Sequence, residues 1–252
     1  MDAASILEER REKWKTKEVL RRLYFKWYSL IGDWIRPGVV LELGGGSGNL
    51  KEYFPDAISS DILFTKWLDA VFDAQRIPVG KESVDSIVLF DVLHHLPEPA
   101  LFFSEAERAL KTGGRIVMME PYVSCSSYFI YRFLHQEGLK RDGNPLRCGN
   151  VQEGKDPFQG NQAIPSLIFE THRELFLKRY PGLKIISEQK LDFLTYPLSG
   201  GFHHLNFCPL SFYGLLERLE RLLSPLQSYL AFRMFIVIEK ISLPETRLSL
   251  PT

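Results

Sequence analysis

The sequence carries no net charge, because 31 lysines and arginines are balanced by 31 aspartates and glutamates. Overall charge therefore gives no sign of nucleic acid as a partner. Cysteine is scarce, at three. Cys125, Cys148 and Cys208 fit neither a disulfide framework nor a zinc spacing, so reduced thiols in a cytoplasmic protein are expected. No uncharged apolar run reaches the roughly 20 residues that a membrane helix needs. The charged N-terminal stretch also lacks the apolar core of a signal peptide. Internal repeats and low-complexity tracts are missing too. What is present is an ordinary globular composition, 45% hydrophobic and 25% charged, over 252 residues. That length supports one substantial core with an added lobe. Aromatic residues, at 13%, are plentiful. They read as core or as the lining of an apolar or sugar-stacking pocket.

Hydrophobic spacing predicts an N-terminal helix over residues 5–35, with Leu20, Leu23, Trp27 and Ile31 on one face and Pro37-Gly38 beyond its end. Short apolar runs predict strands at 39–43, 57–62, 70–72, 84–90, 115–119, 183–193 and 232–239. Helices are expected over 99–110, 167–180 and 212–230, the last broken near Pro225. Strands alternating with helices imply an α/β, doubly wound, mostly parallel seven-stranded sheet with helices on both faces. Ligands then bind along the edge formed by the strand C-terminal ends. Residues 138–162 are rich in Gly, Asn, Pro and basic side chains, without periodicity. They read as a long loop on the substrate side. The expected organisation is an N-terminal helical lid over 1–36 and a catalytic domain over 37–252. Within that domain, 122–212 holds an acceptor-side insertion, the inserted cap region.

Gly44, Gly45, Gly46 and Gly48 follow the first strand directly, in a position where the backbone must approach a ligand. The next helix N-terminus is expected to offer free N–H groups. No Gly-Lys-Ser/Thr follows, which excludes a phosphate loop. The third glycine also comes one residue early for a dinucleotide fingerprint, which disfavours a nicotinamide oxidoreductase. The pattern Glu42-x-Gly44-x-Gly46-x-Gly48 instead resembles motif I of class I S-adenosylmethionine-dependent methyltransferases. More particularly, the stretch from Val39 to Tyr122 resembles the type 11 methyltransferase domain.

That resemblance implies a Rossmann-like fold, S-adenosyl-L-methionine as cofactor and S-adenosyl-L-homocysteine as product. It places the loop glycines beside the methionine part and makes Glu42 orient the loop and the cofactor amino group. Asp61, at the end of the second strand and followed by Ile62, takes the ribose-binding position. Asp73 and Ala74, in Phe72-Asp73-Ala74-Gln75-Arg76-Ile77-Pro78, take the adenine positions. Only 12 positions separate Asp61 from Asp73, so the intervening helix must shrink to a turn. Trp67 or Leu63 is then left to pack over the adenine or in the core. Phe90 and Asp91 fall at the cofactor edge of the fourth strand, and His94 and His95 follow in the most specific stretch, Phe90-Asp91-Val92-Leu93-His94-His95-Leu96.

His95, His94 and Glu120 are the candidate catalytic groups, since a histidine near its ordinary pKa can take an acceptor proton. Capping, packing or a structural hydrogen bond would equally place them there. His203-His204 has no third ligand in view, and no metal is expected. The acceptor is expected to be a small molecule such as a sugar or lipid-linked hydroxyl, handled by a monomer or homodimer. Residues 207–230, with Arg218 and Arg221, suit either peripheral membrane contact or packing in the core. The alternative function is a non-catalytic cofactor-binding regulator or partner protein.

Overall fold

The computed structural model describes residues 3–135, 137–149, 156–202 and 205–243. His203 and His204 lie outside the described residues. Seven strands form one sheet: β1 Val40–Leu43, β2 Ile58–Asp61, β3 Ala70–Val71, β4 Val84–Phe90, β5 Leu110–Pro121, β6 Leu183–Leu191 and β7 Arg233–Lys240. Their order is β3-β2-β1-β4-β5-β7-β6. β1 to β5 run parallel, and β7 lies antiparallel between β5 and β6.

The period-two alternation of the strands builds two cores. Ile87, Leu89, Ile116, Met118 and Ile236 point to one face. They pack there with Phe102, Phe103 and Phe176 of the helices α3 Pro99–Ala109 and α6 Arg173–Arg179. Val88, Val117, Met119, Phe235 and Val237 point to the other face, against Leu20, Leu23, Trp27 and Tyr213. The central strands β4, β5 and β7 are therefore buried on both sides, while the edge strands β3 and β6 are partly exposed.

The N-terminal helix divides into α1 Ala3–Thr16 and α2 Glu18–Gly32, with Lys17 out of helical geometry at φ −98°, ψ 82°. This corrects the 1–36 lid. Leu20, Leu23, Trp27 and Ile31 of α2 are fully buried against the sheet, so α2 is a core layer. Burial of large apolar side chains at about 1.5–3 kcal/mol each makes it indispensable to folding. α1 joins that layer through Trp14, which is buried in the same cluster, while its charged side chains stay outside. The helix expected after the glycine loop is a single 3-10 turn, Leu50–Glu52, and the 62–69 link contains no helix. β5 begins five residues earlier than predicted, with a register shift against β4 between Val84 and Ser86.

After β5 come α4 Cys125–Phe133 and the short α5 Ile164–Ser166, which continues into a π-helical turn, Leu167–Thr171. α4 begins in a capping box in which Ser124 and Ser127 satisfy each other's backbone N–H groups. α7 Thr195–Ser199 follows β6, and α8 Leu210–Leu222 and α9 Gln227–Leu230 precede β7, broken at Ser224–Leu226 by Pro225.

Candidate active site

The glycine loop sits at the C-terminal end of β1. Gly44, Gly46 and Gly48 all have positive φ, at 72°, 50° and 75°. A Cβ at Gly44 would lie 2.4 Å from Val92 Cγ2, and one at Gly48 would lie 2.7 Å from Trp67 Cδ1. These two glycines are thus required by the protein's own packing. At Gly46 a Cβ meets nothing closer than 3.7 Å, which leaves that backbone open to a ligand. Gly45 N–H donates to Ser60 O at 2.8 Å and joins the loop to β2.

The helix that was to supply free N–H groups is reduced to one turn, and the N–H groups of Gly45, Gly46 and Gly48 are engaged within the protein. Gly46 N–H donates to Asp61 Oδ2 and Leu63 N–H to Asp61 Oδ1, both at 2.9 Å. Each Asp61 oxygen keeps a lone pair for a ribose hydroxyl. Ile62, the next residue, is exposed. Glu42 is buried and accepts from Ser59 Oγ at 2.5 Å. Burial pushes its carboxyl up to about 7, against the lowering effect of the Ser59 hydrogen bond. Asp73 accepts from the backbone and side chain of Gln75, and Ala74 is buried beside it. These groups fit a bound S-adenosylmethionine in their donor and acceptor chemistry.

Trp67 does not reach the adenine side. Its indole N–H donates to Gly46 O at 2.9 Å, and its ring lies 5.0 Å from the Arg11 guanidinium of α1. Arg11 also donates to Ser47 O at 2.8 Å. Arg11 and Trp67 line a groove of about 520 Å³ together with Ser5, Glu8 and Lys66. α1 is therefore tied across the outer side of the glycine loop.

Beyond β4 the chemistry changes from backbone to charge. Asp91 takes a left-handed φ of 58°, a strained position that is tolerated best by Asn and Asp among residues with a side chain. It pairs at 2.6 Å with Arg233, which is buried among the rings of Trp27, Phe90 and Tyr196. Phe90 stacks on Tyr24 at 4.8 Å. In the turn Leu93–His95, Glu120 Oε1 accepts the N–H groups of Val92 and Leu93, both at 2.8 Å. Its Oε2 lies 2.8 Å from His94 Nδ1.

The other nitrogen of His94 lies 3.1 Å from Glu137, which also pairs with His95 Nε2 at 3.9 Å and accepts from Gln162. Burial opposes the charge on His94, but its bonds to Glu120 and Glu137 overcome this and raise its pKa well above the ordinary value. Glu137 is driven low: burial alone would raise it, and the His94 pair outweighs that. A carboxylate at each nitrogen favours the imidazolium form of His94, in which no lone pair is left to take a proton. His95 is half-buried at the same spot. Asn161 N–H donates to His94 O at 2.9 Å, which ties this residue to the histidine turn.

Glu137, Arg233 and Arg11 were not among the sequence candidates. Arg233 had a signal, a cation at the head of the apolar run Met234-Phe235-Ile236-Val237-Ile238. Glu137 and Arg11 had none, because each lies in a charged, aperiodic or amphipathic surface-like stretch. Two groupings, His94-His95-Glu137 and Asp91-His94-Glu120, hold potential metal-donor atoms within 4.8 Å of one another. Ion pairs connect the members of the first, and the second is joined through His94 and Glu120.

A parallel sheet in this order, reversed only at β7, with a glycine loop after β1 and acids at the ends of β1 and β2, defines a class I S-adenosylmethionine-dependent methyltransferase. Comparison with known proteins agrees. The Methyltransferase domain family matches residues 12–167, more than half of the chain, and the chain belongs to that family. S-adenosylmethionine is its cofactor. Geranyl diphosphate C-methyltransferase from Streptomyces coelicolor A3(2), solved with Mg2+, geranyl diphosphate and S-adenosyl-L-homocysteine, is similar at 13% identity and TM-score 0.50. The match covers 92% of this chain and 84% of that one. A methyltransferase in complex with the Haloferax volcanii Trm112 activator is similar at 14% identity and TM-score 0.50, covering 92% and 94%. At these identities the likeness concerns the fold alone. No curated protein matches the sequence.

Proposed function

We propose that this enzyme methylates a small-molecule hydroxyl, on a sugar or lipid-linked acceptor, and that His95 receives the hydroxyl proton. The supporting observation is the unequal treatment of two adjacent histidines. His94 is locked between two carboxylates, while His95 sits half-buried at the strand edge, 3.9 Å from Glu137. When bound, the cofactor supplies an electrophilic methyl group on a sulfonium. Glu42, the loop glycines and Asp61 would hold it, with Asp73 and Ala74 at the adenine and Phe90 and Asp91 at its edge. An acceptor oxygen would take that methyl group, and the carbon–sulfur electron pair would leave on sulfur. The hydroxyl proton passes to His95, and the ionised Glu137 stabilises the resulting imidazolium. Glu120 and His94 are positioning residues that fix the turn carrying His95. Residues 122–212 supply the acceptor cap and α1 a cover over the donor loop, which together exclude water.

The test is methyl transfer from radiolabelled cofactor into cell extract separated into polar, lipid and protein fractions. Label in a small-molecule fraction, with a pH–rate profile whose acidic limb is lost in His95→Asn, is the expected result. Binding of S-adenosylhomocysteine with no label in any fraction would instead establish the regulatory reading. Label confined to protein would overturn the acceptor class.

A further inference from the structure

α8 turns Tyr213 and Leu216 to the core, yet it also carries an apolar stripe outward. A helix packed on a globular core turns its apolar stripe inward and its charges outward. Here Glu220 is buried and its carboxylate accepts the N–H groups of Phe193, Leu194 and Thr195 at 2.8–3.0 Å. Leu215, Leu219, Leu222 and Leu226 instead face solvent, with Leu222 74% exposed. Their spacing of four, three and four residues lines them up along one side of α8 and the turn after it. The surface continues onto α4. Ser126 Oγ donates to Leu230 O at 2.6 Å, and Phe129 and Phe133 follow on the same ridge, 61% and 71% exposed.

The charges on these elements settle what covers them. Across Cys125–Phe133 and 210–230, every exposed charged side chain is an arginine: Arg132, Arg218 and Arg221. The two acids, Glu217 and Glu220, are half-buried and buried. A two-fold interface with a second copy would set arginine against arginine with no exposed acid on these elements to answer it. An anionic lipid surface complements both features, the leucine and aromatic stripe and the arginines beside it. We propose that the outward face of α8, α9 and α4 docks on an anionic bilayer. No helix among the described residues is long and apolar enough to cross a membrane, so the contact is interfacial. α4 starts five residues after Glu120, so docking sets the candidate acceptor site beside the lipid surface. The inference rests on exposure and charge and is independent of the proposed acceptor.

The experiment is co-sedimentation of the full chain with phosphatidylcholine vesicles, with and without added phosphatidylglycerol, alongside light scattering of the protein alone. The expected result is binding that needs phosphatidylglycerol and weakens with salt. Arg218→Glu with Arg221→Glu should reduce it by about tenfold. Leu222→Glu with Leu226→Glu should reduce it by about tenfold as well. Both variants should keep the parent's melting temperature, because the substituted side chains are exposed. Absence of vesicle binding, or equal binding by both variants, overturns the proposal. So does a parent dimer that the leucine variant converts to monomer, since a second copy would then cover the face.

Discussion

The two sides of the sheet edge are held by different forces. On the donor side, Gly45 N–H donates to Ser60 O, Gly48 N–H to Gly45 O and Gly46 N–H to the Asp61 carboxylate, all close together in the chain. On the acceptor side, Asp91, His94 and Glu120 are held by Arg233, Glu137 and Asn161, side chains and loops brought from far along the sequence. A site built from backbone tolerates little change in the residues that make it. A site built from charged side chains can be rewired by one substitution in a loop. The difference matches the division of labour in methyl transfer, where one donor serves many acceptors.

The comparison is tested first at its donor end. Asp61→Ala removes the carboxylate proposed for the two ribose hydroxyls. Hydrogen bonds to a charged group contribute about 1.5–3 kcal/mol each, so S-adenosylhomocysteine should bind at least about 100-fold more weakly by calorimetry. A loss below about threefold would remove Asp61 from the cofactor site. At the acceptor end, Glu137→Gln should leave that affinity unchanged and lower kcat by about 30-fold, less than loss of the general base itself because Glu137 acts through His95. An equal fall in both quantities would show that the two sides are not separable.

How much of this the sequence revealed follows the same line. Glu42, the glycines, Asp61, Asp73 and the Phe90–Leu96 stretch stand in chain order at strand ends, so local pattern and topology suffice to gather them. The central strands were legible because β1, β4 and β7 are apolar runs buried on both faces. The status of α2 was not, since an amphipathic helix reads the same whether it covers a sheet or a ligand. Only its neighbours Val88, Val117 and Phe235 decide the matter. Glu137 was invisible because its partner His94 lies 43 residues earlier and no periodicity links them. The histidine pair was visible, yet which member is locked depends on that same partner.

α1 touches both the donor loop, through Arg11, and the core, through the buried Trp14. Arg11→Ala removes the bond to Ser47 O and the contact with Trp67. A hydrogen bond of this kind contributes about 1 kcal/mol, so S-adenosylhomocysteine affinity should weaken by about fivefold and its dissociation should quicken. The melting temperature without ligand should hardly move. A large drop in that temperature would mean that Arg11 also holds the buried Trp14 of α1 in place.

The smallest expected effect is a pH dependence that only the donor side should show. Burial raises the Glu42 carboxyl from an ordinary 4.5 to about 7. A raised carboxyl favours its protonated form in the folded state. Its contribution to stability is therefore complete below about 4.5 and is lost as pH rises through about 7. The cofactor's ammonium should act in the opposite direction, because it favours the ionised carboxylate. Worth about half a pKa unit, that attraction should tighten S-adenosylhomocysteine binding by about threefold from about pH 6 to about pH 8. Apo stability should decline over the same range. Glu42→Gln should flatten both curves, whereas Glu137→Gln should leave them intact. Binding that tightens as pH falls would mean that the protonated acid is the form the cofactor needs, with Glu42 acting as a hydrogen-bond donor.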